Sequence, residues 1–135
     1  MAKKKIKVKM ESYGLYTKFQ KEGDQLPDIL EFTRKVPARL DVEFGYIINI
    51  KRARGEILKF RIDHPPFKDE NGKVVPTFED EIFIDSNDYN FFLGDTLWEP
   101  LEDKFGRWTL TCYLQDEIIA EETFEVIPED KSESL

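Results

Sequence analysis

The sequence predicts an all-β protein, a single antiparallel β-sandwich of about seven strands with little helix. Three observations carry that reading. The hydrophobic period is two almost throughout; the apolar runs are short and end at Gly, Pro or Asn signals; and Trp108 opens an alternating stripe suited to the centre of a sandwich core.

The elements follow in order. Ile6, Val8 and Met10 alternate with Lys5, Lys7, Lys9 and Glu11, which describes a strand with one wet face. The segment from Asp28 to Val36 places Ile29, Leu30, Phe32 and Val36 near helical spacing between Pro27 and Pro37. It is expected as a short helix or an irregular loop. Leu40, Val42, Phe44, Tyr46, Ile48 and Ile50 take every even position of a long strand, and only Ile47 breaks the polar odd face. Lys51 to Glu56, with Gly55, reads as a hairpin loop into a strand carrying Leu58, Phe60 and Ile62, with Ile50 opposite Leu58. Pro65-Pro66 ends that strand, because proline cannot donate to a ladder. Asn71-Gly72 marks a turn. Ile82 and Ile84 flank Phe83, and the aromatic run Tyr89 to Trp98 alternates poorly. Trp108, Leu110, Cys112 and Leu114 form a clear stripe, Gln115-Asp116-Glu117 a hairpin turn, and Ile118, Ala120, Phe124 and Val126 the return strand. The domain is expected over residues 1–128, and residues 129–135 as a polar, disordered tail.

With 135 residues, 40% hydrophobic and 36% charged, the chain has the apolar content for a core, which a disordered chain lacks. One cysteine excludes an internal disulfide. The net charge of −8 argues against nucleic acid as a partner, since that binding rests on Lys and Arg. The charge is uneven: residues 1–61 carry 15 Lys/Arg against 8 Asp/Glu, and residues 62–135 carry 5 against 20. The lysine-rich start lacks the apolar run of a secretory signal, and no window is apolar enough to span a membrane. A cytoplasmic protein with no membrane partner is expected.

Residues with chemical potential are few. His64, the sole histidine, falls at a strand end before two prolines and reads as a hydrogen-bonded structural residue. Cys112 lies on the core stripe, where a thiol packs as a small hydrophobe. One His and one Cys fall short of a zinc set, so no metal ligands and no cofactor are assigned. Asp85, Asp88 and Asp95, or Glu79-Asp80-Glu81, are carboxylates that would need to converge to hold a cation; the default is a solvated loop. No phosphate loop, serine elbow or metalloprotease helix is present in the sequence, and no catalytic residues are assigned.

The stretches Ser12-Tyr13-Gly14-Leu15-Tyr16, Val36-Pro37-Ala38-Arg39-Leu40 with Asp41 to Gly45, Phe91-Phe92-Leu93-Gly94-Asp95-Thr96, Gly106-Arg107-Trp108-Thr109-Leu110 and Ile119 to Val126 belong together. The set resembles a family of short bacterial proteins of unknown function, from about Lys9 to Val126. The Gly-x-Trp strand and the hairpin ending Ala-Glu-x-x-Phe-x-Val are also similar to the last two strands of immunoglobulin-like domains. The resemblance implies an immunoglobulin-like sandwich and brings no site residues. The expected function is therefore a non-enzymatic module that binds a protein partner or itself. Its candidate surfaces are a charged sheet face of Arg39, Asp41, Glu43, Lys59 and Arg61, and the segment around Phe92 and Trp98. The alternatives are a small acid–base or metal-dependent enzyme using His64 with loop carboxylates, and a small-ligand carrier.

Overall fold

A computed structural model describes residues 5–17 and 26–129. The tail expected to be disordered lies outside the described residues, apart from Glu129, which pairs with Arg39 at 3.6 Å. Among the described residues nine strands form, β1 (Lys7–Tyr16), β2 (Ile29–Glu31), β3 (Lys35–Pro37), β4 (Glu43–Lys51), β5 (Ile57–Asp63), β6 (Phe78–Phe83), β7 (Asp88–Thr96), β8 (Gly106–Leu114) and β9 (Glu117–Ile127), with one 3-10 turn at Glu102–Lys104. The first sheet runs β2-β1-β4-β7 and the second β3-β9-β8-β5-β6. All pairs are antiparallel except β3 with β9.

The sandwich follows from the alternation. Even positions of β4 turn inward: Phe44 meets Trp108 edge-on at 5.5 Å, and the Tyr46 hydroxyl donates across the core to the Leu110 carbonyl at 3.1 Å. Trp108 is fully buried, as its stripe predicts, and its Nε1 donates to the Lys104 carbonyl. At the β8–β9 hairpin, Gln115 and Asp116 both have positive φ, the two-residue turn whose twist matches paired strands.

Three expectations are corrected. There are nine strands rather than seven, because the segment expected as a short helix or loop contributes β2 and β3. Its apolar residues share no buried face: Val36 is buried, but Leu30 and Phe32 are exposed. The segment is the extended crossover that leaves β1 and joins β9. The second correction concerns the hairpin of the Phe44 and Phe60 strands, which does not form. β4 lies between β1 and β7, while β5 lies between β8 and β6, so the Gly55 loop crosses between the sheets. Alternation fixes which face of a strand is apolar but does not name its neighbour. The third is the odd face of β4, expected to be polar and wet, where Glu43, Gly45, Ile47 and Asn49 are all buried.

That outer face carries a row of glycines. Gly14, Gly45 and Gly94 stand side by side across β1, β4 and β7. A Cβ on Gly45, at φ +155°, would stand 2.1 Å from the Leu93 carbonyl oxygen. The Phe92 ring lies where a Gly94 side chain would be and meets Tyr16 edge-on at 5.1 Å.

Candidate functional site

The two long edges of the sandwich are built differently. At the edge where β2 and β3 cross over, Arg34 closes the gap between the sheets. Its Nε donates to Glu122 at 2.7 Å, and its guanidinium lies 4.2 Å over the Tyr13 ring. At the opposite edge stand β6, paired only with β5, and β7, paired only with β4, among the described residues. Across the core Phe60 of β5 packs on Phe91 of β7, so among the described residues the five-stranded sheet reaches one strand further, to β6, all six of whose residues are exposed.

The result is a groove between the start of β6 and the end of β7. A space of about 490 Å³, lined by Ile62, Phe67, Phe78, Asp95 and Trp98 among others, continues into one of about 510 Å³. The continuation adds Phe60, Phe91 and Phe92. Phe60 bridges the sheets at this edge, 5.1 Å from Phe91 and 6.2 Å from Phe78. At the far end Trp98, 42% exposed, meets Phe67 edge-on at 5.3 Å. Beneath them Lys104 is fully buried, its Nζ 4.6 Å from both the Phe67 and the Trp98 ring centroids. That ammonium donates to the Pro100 carbonyl at 2.8 Å and pairs with Asp103. Burying it is tolerable because the charge is both paired and hydrogen-bonded.

One carboxylate, Asp95, lines this groove, and a second, Asp80, stands exposed on β6 outside its lining. On β6, Asp80 faces Phe60 and occupies the inward row between Phe78 and Ile82. On β7, Asp95 faces Phe44 and continues the inward row of Phe91 and Leu93. Each turns back onto its own strand: Asp80 accepts the Glu81 N–H and Asp95 the Thr96 N–H, both at 2.8 Å. The Ile84 and Leu97 amides point inward to Glu56 and Val42. By alternation, the Glu81 and Thr96 amides are outward donors of the free edges. Both edges are thus blunted by their own side chains, a protection against indiscriminate strand pairing. Burial raises the Asp95 carboxyl above the ordinary carboxylate range, opposed by the Thr96 amide and by His64.

His64 lies at the groove wall, stacked on Phe67 at 4.3 Å. Its Nδ1 and Nε2 each lie 2.8 Å from a main-chain carbonyl oxygen, of Pro65 and Pro76. Both nitrogens are thereby engaged by the main chain. Among the described residues no three His, Cys, Asp or Glu side chains gather as a metal site. The Cys112 thiol is buried beside the Tyr46 hydroxyl, and burial pushes it up to about 12.

The residues expected to form one charged face are dispersed. Arg39 and Asp41 lie in the turn before β4, where the Asp41 amide donates to the Leu97 carbonyl. Glu43 is buried on the outer face of the first sheet, opposite Tyr16 and Thr96. Lys59 and Arg61 stand on the outer face of the second sheet, with Arg61 held by Asp63 at 2.8 Å and Glu79 at 3.7 Å. Of the seven candidates, Trp98 lines the groove and Phe92 and Glu43 line its continuation; Arg39, Asp41, Lys59 and Arg61 do not. Sequence reasoning missed Phe60, Phe67 and Phe78 as groove residues. The available signal was a carboxylate at an inward position of an apolar stripe, at Asp95.

Comparison with known proteins agrees with this architecture. A family model described as a domain of unknown function, DUF3859, matches residues 4–126. No curated protein matches the chain. Among solved structures, an immunoglobulin-like protein from Pseudomonas aeruginosa is similar over 94% of this chain and 100% of its own, at 22% identity and a TM-score of 0.74. That likeness concerns the fold.

Proposed function

This chain belongs to the DUF3859 family, a domain of unknown function, and from that premise we propose that it is a non-enzymatic immunoglobulin-like module that binds an extended polypeptide in the groove between β6 and β7. The observation that supports this reading is the unequal sandwich. An exposed edge strand at the rim of the wider sheet leaves Phe60, Phe78, Phe91 and Trp98 around an open space. Exposed aromatic side chains beside polar groups are the usual anchors of protein recognition. An acid–base role for His64 finds less support, since both of its nitrogens face main-chain carbonyls.

Selection from a displayed library of random peptides tests the proposal, with the winners mapped by amide chemical shifts. Expected shifts cluster at residues 60–67, 78–83 and 91–98. A Phe78→Ser variant, altered at a half-exposed ring, should stay folded and bind at least about tenfold more weakly. Shifts centred on Tyr13 and Arg34 instead, or no enriched peptide, would overturn it.

A further inference from the structure

We propose that the segment held in this groove is basic, and that one of its Lys or Arg side chains enters between Phe78 and Trp98 to meet the Asp95 carboxylate. This rests on the groove reading above and adds the chemistry of the occupant.

Charge selects that occupant. Asp95 is the inward carboxylate that lines both the groove and its continuation, while Glu79 at the rim lies 3.7 Å from Arg61 and Glu43 is buried on the outer face of the first sheet. Aromatic walls around a carboxylate suit an organic cation: the ring faces attract it, and the carboxylate neutralises it away from bulk water. The Lys104 ammonium, 4.6 Å from the Phe67 and Trp98 rings, is already neutralised by Asp103.

The capped edges point to how the segment is read. Asp80 and Asp95 occupy the outward amides of Glu81 and Thr96, so main-chain pairing along β6 or β7 meets an obstacle at each. Recognition therefore runs through side chains set into the groove. A buried carboxyl raised by desolvation gains most from an arriving cation, so binding should strengthen as pH rises through the Asp95 titration.

The test uses three synthetic ten-residue peptides in which valine alternates with lysine, with serine or with glutamate. Binding is read by titration calorimetry and by intrinsic tryptophan fluorescence. The lysine peptide should bind, and should weaken severalfold when salt rises to about 0.5 M. Asp95→Asn, which keeps an oxygen to accept the Thr96 amide, should lose at least about tenfold in affinity for it. Equal binding of the serine peptide, or full affinity in the Asn variant, would overturn the charge inference and leave the groove reading standing. Spermidine binding as tightly as the lysine peptide would assign the site to small amines, against a polypeptide. Binding by none of the three overturns the inference, and the library selection then decides the groove separately.

Discussion

At the scale of single residues, burial explains the behaviour of nearly every polar group in the core. The Tyr46 hydroxyl crosses from one sheet to the other, and burial raises its ionisation far above the usual phenol range. Cys112 sits beside it and is protected by the same burial. Asp95 is the exception with a consequence for stability. Its folded carboxyl is raised, so between the ordinary carboxyl range and that raised value the native state holds more protons than the unfolded one. Stability contributed there falls as pH rises. Asp95→Asn should therefore raise the melting temperature at neutral pH, and the gain should vanish on acidification below the ordinary carboxyl range. Thermal unfolding of both proteins across pH checks this, and a gain constant with pH would contradict it.

At the scale of elements, backbone geometry makes two opposite demands. The glycine row requires close approach of β4 to β7. Gly45→Ala brings a Cβ against the Leu93 carbonyl and the Gly94 Cα, backbone atoms that cannot rotate away. It should cost more than about 3 kcal/mol, while Gly55→Ala, with nothing within 4 Å, should cost about 1 kcal/mol. Denaturant titration separates the two. The β8–β9 turn demands the reverse change. Gln115 and Asp116 hold φ of 52° and 64°, which side-chain-bearing residues adopt reluctantly. The double change Gln115→Asn, Asp116→Gly should stabilise by about 1 kcal/mol, seen as a rise of a few degrees in Tm. The exposed contact of Gln115 to Glu56 is too weak to offset it.

At the scale of the whole molecule, the feature that matters is the inequality of the sheets. One edge is closed by the crossover through β2 and β3 and by the Arg34–Glu122 pair, and the other is left open between β6 and β7. The division into a basic first half and an acidic second half does not become two faces. β5 lies beside the acidic β6 and β3 beside β9, so ion pairs such as Arg61–Glu79 and Arg34–Glu122 join the halves across neighbouring strands. Part of the second half's excess of carboxylates stands at the open edge, at Asp80, Glu81 and Asp95.

The sequence by itself determined the sandwich, its core stripes and its last hairpin. Each of these is a local matter: period-two burial marks the inward face of a strand, and a two-residue turn joins neighbours. Trp108, Cys112 and the even positions of β4 were readable for that reason. Only the tertiary structure decided which strands pair, because alternation is identical whether β5 lies beside β4 or across the core from it. It also decided that Arg39, Asp41, Glu43 and Arg61 part company, while Phe60, Phe78, Asp95 and Trp98 share one groove. Those positions come from β5, β6, β7 and the chain just beyond β7, and their meeting depends on a five-stranded sheet overhanging a four-stranded one. The width of a sheet is a sum of long-range pairings, which no local period encodes.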